Sequence, residues 1–168
     1  MGVAPTAVCR QTADQLVGTP TGIVANTNGG AGPFQVVEGT TAGPSVFIFD
    51  TEDGTIAGWA PTVDANNAIT AVDNSGADGT GTNALYKGLA LGGTQLYATD
   101  FRNACVEVFS NTFTHLTTFT DPALTALGYA PFGIANVNNN LFLTFAQQDG
   151  PSTTVSPDPA LVMSTSSI

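Results

Sequence analysis

The stretch FIFDTEDGTIAGW, residues 47 to 59, places three carboxylates between two apolar runs. Asp50, Glu52 and Asp53 lie close together, and clustered carboxylate oxygens are the ligands that Ca²⁺ prefers in proteins. The stretch does not fit the D-x-[DN]-x-[DN]-G spacing of a calcium loop, and it lacks the later glutamate that would bind the ion through two oxygens. Asp53-Gly54 is typical instead of a tight hairpin turn, which needs positive φ angles. We therefore predict a hairpin in which Glu52 faces solvent.

The scarce basic side chains are further candidates for chemistry. Lys87 follows Tyr86, and Arg102 follows Phe101. Two interpretations are open for these cations: pairing with nearby carboxylates, which is commoner, or contact with an anionic ligand. His115 is the one histidine of the sequence, and no G-x-S-x-G motif accompanies it. A hydrolase triad is unsupported, so we interpret His115 as a rim or surface residue and a candidate for ligand contact.

The charge balance excludes two classes of partner. The 168 residues include three basic side chains against thirteen acidic ones, with a net charge of −10. Nucleic-acid binding needs clustered Lys and Arg, and anionic membrane surfaces attract basic segments, so neither is predicted. The sequence has no apolar run long enough for a transmembrane helix, so no membrane insertion is predicted either.

Composition also indicates a location. The sequence is rich in Thr, Ser and Asn and poor in charged side chains, which favours an extracellular or cell-surface protein. The opening MGVAPTAVCRQTADQ lacks the basic head and apolar stretch of a signal peptide, so we expect any such signal to have been removed or to lie outside this sequence.

The two cysteines leave two interpretations open. Cys9 and Cys105 either form one disulfide in an oxidising compartment or remain two buried thiols. With one histidine and two cysteines, the sequence has no Cys/His spacing of a metal site.

Short apolar runs predict an all-β fold. They are rich in Val, Ile, Phe, Tyr and Thr and are separated by Asn, Asp, Gly and Pro turns. Several are apolar at every position, which is typical of strands covered on both faces. Asp121-Pro122 predicts the start of a short helical turn. The runs are TGIVA, FQVV, SVFIF, TIAGW, LYKGLAL, QLYAT, CVEVF, FGIANV and NLFLTF.

The runs recur as an internal repeat. With an offset of 50 residues FDTEDGTIAGW falls on TDFRNACVEVF, so that Asp50 meets Asp100. With an offset of 45 residues GLALGGTQLYAT falls on GIANVNNNLFLT, so that Gly88 meets Gly133. A period of this length, with about four short strands in each copy, is typical of β-propeller blades. A β-sandwich with chance similarity is the alternative.

The repeat changes the interpretation of the acidic loop. Glu52 and Asp53 have no acidic counterparts in FRNA, the matching part of the second copy. Asp50 and Asp100 do match, so they are candidates for equivalent positions on adjacent blades. The commoner role for such a pair is to cap turn amides; the other is to bind an ion, with Ca²⁺ as the candidate.

A longer set of motifs resembles a known family. PTGIVAN, FIFDTEDGTIAGW, YKGLALGGTQLYATDFRNACVEVF and GYAPFGIANVNNNLFLTFAQQD occur in this order between residues 18 and 150. Together they are similar to a family of secreted, functionally uncharacterised six-bladed β-propellers from bacteria, often with PEP-CTERM sorting tails, and from fungi. The resemblance implies a ring about twice as long as this chain.

The expected organisation has three parts. Residues 1–17 form an N-terminal segment, 18–150 about three four-stranded blades, and 151–168 a Ser/Thr/Pro-rich tail that is typical of a linker or frayed terminus. An open arc of three blades leaves two unpaired edges. Three explanations are open: two copies self-associate into a six-bladed ring, the chain is a fragment of a longer protein, or the sheet closes differently.

Three functional hypotheses follow. The first is a non-catalytic propeller that binds a ligand or partner at its axis or rim, with no catalytic or cofactor-binding residues assigned. The second is a metal-assisted hydrolase or lactonase, as some six-bladed propellers are, which requires Asp50, Asp100 or Asp149 to converge with water-accessible oxygens. The third is a structural protein that assembles edge to edge.

Overall fold

The computed structural model describes residues 19–27, 32–76, 82–149 and 162–167, and in these ranges the regular secondary structure is almost entirely β-strand. The predicted N-terminal segment lies outside the described residues, as do Cys9 and residues 151–161. The described residues include one short helix, α1 (Pro122–Thr125). Within these ranges no helix is long and apolar enough to cross a bilayer. The strands are β1 (Pro20–Ala25), β2 (Gln35–Glu38), β3 (Thr41–Pro44), β4 (Phe47–Thr51), β5 (Thr55–Trp59), β6 (Ile69–Asp73), β7 (Tyr86–Gly92), β8 (Gln95–Asp100), β9 (Cys105–Phe109), β10 (His115–Phe119), β11 (Tyr129–Val137), β12 (Asn140–Gln147) and β13 (Val162–Ser167).

Three antiparallel sheets follow one another along the chain, and we call them blades 1, 2 and 3. Blade 1 has the strand order β1-β4-β5-β6, blade 2 the order β7-β8-β9-β10, and blade 3 the order β11-β12-β13. The hairpin β2-β3 is inserted between the first two strands of blade 1. Two blades therefore have the predicted four strands, and the third has three among the described residues.

The third strand of blade 3 comes from the segment predicted to be a linker or frayed terminus. Val162–Ser167 pairs with β12 along its whole length, from Phe145 opposite Val162 to Asn140 opposite Ser167. Blade 3 thus extends beyond residue 150, the predicted end of the blades.

Side chains between neighbouring blades form the core. The cluster between blades 1 and 2 includes Ile48 and Ile56 from blade 1 and Leu89, Leu96 and Phe109 from blade 2. Each fully buried side chain of this size contributes roughly 2 kcal/mol by leaving water. The same arrangement recurs between blades 2 and 3, where the cluster is Ala90, Tyr97, Val106, Val108, Leu141, Leu143 and Phe145.

This packing explains the runs that are apolar at every position. A strand in the middle of blade 2 has a neighbouring blade on each of its faces, so alternation between apolar and polar residues is lost there. β9, Cys105–Phe109, is buried at all five positions. The sequence prediction of strands covered on both faces is confirmed there.

The predicted local turns are also present. Gly54 ends the β4–β5 turn with a φ of +80°, and its N–H donates to the carbonyl of Thr51 at 3.1 Å. The side chain of Asp121 accepts hydrogen bonds from the N–H groups of Ala123 and Leu124 and caps α1.

Strand register confirms one of the two repeat offsets. Leu89 pairs with Ala98 in blade 2, and Ile134 pairs with Leu143 in blade 3. Both residues of the second pair lie 45 positions after those of the first, as the sequence predicts.

The other offset, of 50 residues, is wrong by one residue for the strand before the turn, which is β4 in blade 1 and β8 in blade 2. Gly22 pairs with Asp50 in blade 1, whereas Gly88 pairs with Thr99 in blade 2. Asp50 therefore corresponds to Thr99, not to Asp100. The reason is turn length: the turn between β8 and β9 holds one residue more than the turn between β4 and β5, so an ungapped comparison slips there.

Candidate functional site

The first strands of the three blades lie side by side, and each has a β-bulge near its start. The bulges fall between Pro20 and Gly22, between Tyr86 and Gly88, and between Pro131 and Ile134. A bulge turns side chains and amides away from the ladder. The side chains gathered around these bulges and the β4–β5 turn form what we call the bulge cluster: Thr21, Asp50, Glu52, Lys87, Thr99 and Phe132.

Glycine at the bulge allows neighbouring first strands to approach closely. A Cβ placed on Gly22 would lie 2.8 Å from the backbone nitrogen of Leu89 and 3.0 Å from Cα of Gly88. Hydroxyl groups then join neighbouring blades, because Thr21 Oγ1 donates to the carbonyl of Tyr86 at 2.8 Å and Thr99 Oγ1 donates to that of Phe132 at 2.7 Å.

Asp50 is the carboxylate at the centre of the bulge cluster, and its side chain has no exposed surface. Its Oδ1 accepts hydrogen bonds from the N–H of Gly22 at 2.5 Å and from Thr21 Oγ1 at 3.1 Å. Oδ2 is buried and has no hydrogen-bond partner among the described residues. Burial raises the pKa of Asp50 to about 6, against the opposing effects of the two hydrogen bonds and of Lys87.

Lys87 pairs with a carboxylate, as the commoner of its two interpretations predicts. Its Nζ donates to Oε1 of Glu52, across the junction between blades 1 and 2. The same Nζ lies 5.6 Å from the centre of the Phe132 ring, within range of a cation–π contact. Glu52 is partly exposed but contacts this cation as well as solvent.

Asp100 stabilises the turn between β8 and β9. Its Oδ1 accepts from the N–H groups of Leu85 and Asn103 at 3.1 and 3.2 Å, and its Oδ2 accepts from Asn103 Nδ2 at 2.6 Å. The side chain is fully buried, and burial raises its pKa. Asp50 and Asp100 thus both accept hydrogen bonds from backbone amides, although they occupy different positions in their blades.

A buried polar network behind the bulge cluster was missed by the sequence analysis. Tyr86 Oη donates to Oε2 of Glu107 at 2.5 Å, and Asn74 Nδ2 donates to Oε2 of Glu107 at 3.1 Å and to Tyr86 Oη at 2.8 Å. Burial raises the pKa of Glu107, and nearby Asp100 raises it further. The only signal in the sequence is a glutamate within the apolar run CVEVF.

We expect Tyr86→Phe to reveal the cost of disrupting this network. The variant removes the only hydroxyl in the network and leaves one buried carboxylate oxygen with Asn74 alone. Loss of a hydrogen bond to a buried charged group costs roughly 2 kcal/mol. Chemical denaturation measures the change. Tyr97→Phe is the matched control, since among the described residues Tyr97 Oη bonds only to the half-buried Gln95 side chain of its own strand. Equal losses in the two variants would contradict the prediction.

The remaining predicted residues lie apart from this cluster. Arg102 Nη1 donates to the carbonyl of Asn83 at 2.9 Å and to its Oδ1 at 2.6 Å. His115 is exposed at the start of the outermost strand of blade 2, where Nε2 lies 3.0 Å from Thr118 Oγ1. Ligand contact by either residue stays a prediction.

Cys105 is a buried thiol beside Asp100 and Glu107, and it forms no disulfide with any described residue. Burial and these two carboxyl groups raise its pKa to about 12, so the thiolate that reacts with oxidants is disfavoured. Cys9 lies outside the described residues, and its pairing with Cys105 stays a prediction.

Comparison with known proteins gives uncharacterised relatives. No protein-family model matches the sequence. Over 146 residues the chain is 32% identical to the uncharacterised protein R640 of Acanthamoeba polyphaga mimivirus. The matched region covers 83% of this chain and 26% of the relative. The chain spans between 26% and 34% of the length of the curated relatives it matches.

Comparison with solved structures gives the fold. Virginiamycin B lyase from Staphylococcus aureus matches with a TM-score of 0.52 and 15% identity, over 90% of this chain and 43% of the lyase. The WD40 repeats of RRP9 match with a TM-score of 0.50 and 16% identity, over 92% of this chain and 42% of that one. The chain is therefore an all-β, partial β-propeller, and the β-propeller prediction is confirmed.

Proposed function

We propose that this chain is a non-catalytic arc of a six-bladed, extracellular β-propeller that binds a ligand or partner. The observation that carries the proposal is the environment of Asp50 and Asp100. Both side chains are fully buried, and both accept hydrogen bonds from backbone amides. Asp50 therefore stabilises the bulge of β1, and Asp100 stabilises the turn between β8 and β9.

A hydrolytic role needs a different arrangement. Carboxylates that activate water must converge on one point and present oxygens that water can reach. In the described part of the chain, no group of three His, Cys, Asp or Glu side chains gathers in a form that could hold a metal ion. Asp50 and Asp100 are also directed to separate backbone amides, which supports a positioning role.

Chain length and composition support the other two elements of the proposal. The chain matches 43% and 42% of two propeller structures, so it corresponds to somewhat less than half of such a propeller. The number six rests on the motifs that resemble six-bladed propellers. Placement outside the cell rests on the scarcity of charged side chains and the abundance of Thr, Ser and Asn.

One observation favours the alternative of a metal-assisted hydrolase or lactonase. Oδ2 of Asp50 is buried and has no hydrogen-bond partner in the part of the chain that the structure describes, and such an atom is satisfied by a proton, a water molecule or a cation. Ca²⁺ is the candidate cation, because it is a hard ion that binds carboxylate oxygens.

Calcium dependence of thermal stability tests the choice. We expect Tm to change by less than about 1 °C between excess EDTA and millimolar CaCl₂, since a ligand that does not bind the folded state cannot stabilise it. Asp53→Asn serves as the control because it removes the same charge from the same hairpin. A calcium-dependent rise in Tm that survives in Asp53→Asn and disappears in Asp50→Asn would overturn the non-catalytic proposal in favour of the metal site.

A further inference from the structure

Residues at corresponding positions form the same kind of junction twice, once between blades 1 and 2 and once between blades 2 and 3. Leu89, Leu96 and Phe109 of blade 2 face blade 1 and are buried in the first core cluster. The strand pairings place Ile134 and Leu141 of blade 3 at the positions of Leu89 and Leu96, and both pack in the cluster between blades 2 and 3. We call this side, which faces the preceding blade, the front of a blade.

The opposite side, which we call the rear, faces the following blade. Val24 and Ile48 are rear residues of blade 1 and pack in its junction with blade 2. At the corresponding positions of blade 2, Ala90 and Tyr97 pack against blade 3. Each internal junction is thus the rear of one blade on the front of the next.

The front of blade 1 carries the same kind of residues without a described blade to cover it. Ile23 corresponds to Leu89, and it is 58% exposed where Leu89 is 5% exposed. Phe47 and Trp59 correspond to Leu96 and Phe109, both buried. The rings of Phe47 and Trp59 stack on each other with centroids 6.1 Å apart and are only half-buried.

The rear of blade 3 is open in the same way. Ala135 and Phe142 correspond to Ala90 and Tyr97, but Ala135 is exposed and Phe142 half-buried. Val137, two positions further along the same face of β11, is 50% exposed.

We propose that the front of blade 1 binds the rear of blade 3 of a second copy of this chain, so that two copies close one ring of six blades. The inference rests on the proposed function, in which the chain is half of such a ring. The described residues carry one unmatched front and one unmatched rear, and these are the two halves of a junction that the molecule already forms twice. Head-to-tail contacts of this kind close into a ring when the rotation between copies permits it.

Charge supports a second copy at this surface. The chain has a net charge of −10, so two copies repel each other over most of their surfaces. The two open faces are instead built from uncharged side chains: Ile23, Phe47 and Trp59 on one, and Ala135, Val137 and Phe142 on the other. These faces are where two copies meet with the least electrostatic opposition and the largest gain from burial.

The test is the mass of the chain in solution, measured by light scattering and sedimentation. Wild type is expected to have the mass of two copies. Ile23→Asp and Val137→Asp each place a charge in both junctions of the ring, so each variant alone is expected to be monomeric. Leu116→Asp is the matched control, because Leu116 is likewise 50% exposed but lies on β10, the outermost strand of blade 2; it is expected to keep the mass of two copies.

Mixing the two monomeric variants distinguishes a lost junction from a lost fold. The mixture contains one junction between an unaltered front and an unaltered rear, so a fraction of two-copy species is expected to return. A monomeric wild type, a mass above two copies, unchanged mass in both variants, or no recovery on mixing would each overturn the proposal. None of these results would alter the calcium test, so failure of the ring is distinguishable from failure of the non-catalytic assignment.

Discussion

Gly22→Ala is expected to destabilise the chain by roughly 3 kcal/mol, the upper end of the usual cost of overpacking. The added methyl group would lie 2.6 Å from Oδ1 of Asp50, 2.8 Å from the backbone nitrogen of Leu89 and 3.0 Å from Cα of Gly88. Two of these three atoms belong to the backbone of β7, so relief requires that blades 1 and 2 separate. Thermal denaturation should show a decrease in Tm on the order of 10 °C.

The same substitution at corresponding positions should have graded effects. A Cβ on Gly88 would meet the carbonyl oxygen of Phe132 at 3.1 Å and the nitrogen of Ile134 at 3.3 Å, so a smaller loss is expected there. On Gly133 it would meet only Oγ1 of Thr144, at 2.9 Å, and a side-chain hydroxyl moves more easily than a backbone atom. The expected order of destabilisation is therefore Gly22, then Gly88, then Gly133.

Gly32→Ala is the control for the general effect of replacing glycine. Apart from its chain neighbours, no described residue lies within 4 Å of its added Cβ, so the change in stability should stay within about 0.5 kcal/mol, the usual range for surface substitutions. If Gly22→Ala cost no more than Gly32→Ala, close approach of the first strands would not be what the glycine at the bulge provides.

Local features of the structure were predictable because their causes are local. Apolar runs rich in β-branched and aromatic residues became strands, Asp53-Gly54 formed a turn, and Asp121-Pro122 started α1. The 45-residue repeat was predictable for a related reason. Both copies have turns of the same length between their first two strands, so an ungapped comparison keeps the correct register.

The contacts of the candidate site were less predictable because they join residues far apart in the chain. Glu52 meets Lys87 across 35 positions, and Asn74 meets Glu107 across 33. Which side chains meet depends on how the blades stack on one another. The apolar pattern of the sequence indicates only that they stack. A one-residue difference in turn length was enough to match Asp50 with Asp100 when the fold matches it with Thr99.

The chain is expected to be more stable at mildly acidic pH than at neutral pH. Asp50 has a pKa of about 6 in the folded chain against 3.8 for an unperturbed side chain. The folded state therefore binds more protons than the unfolded state between these values, so the free energy of unfolding falls as pH rises through this window. The resulting loss is about 2 kcal/mol between pH 4.5 and pH 7.

Two other buried carboxyl groups act in the same direction. Burial raises the pKa of Glu107 and of Asp100, and the nearby Asp100 raises that of Glu107 further. The cations that oppose this effect are few: His115 favours the charged form of Glu107, and Lys87 that of Asp50. The net charge of −10 also becomes smaller as pH falls, which reduces repulsion within the folded chain.

Asp50→Asn separates the buried carboxyl from the effect of overall charge. The amide oxygen still accepts the hydrogen bond from Gly22, but the group no longer titrates, so the difference in unfolding free energy between pH 4.5 and pH 7 should shrink by about 2 kcal/mol. Asp53→Asn removes one charge from the surface of the same hairpin and should keep the wild-type difference. Chemical denaturation at both pH values measures all three proteins. A wild type that is less stable at pH 4.5, or equal pH dependence in the two variants, would show that the buried Asp50 carboxyl does not govern the acid response.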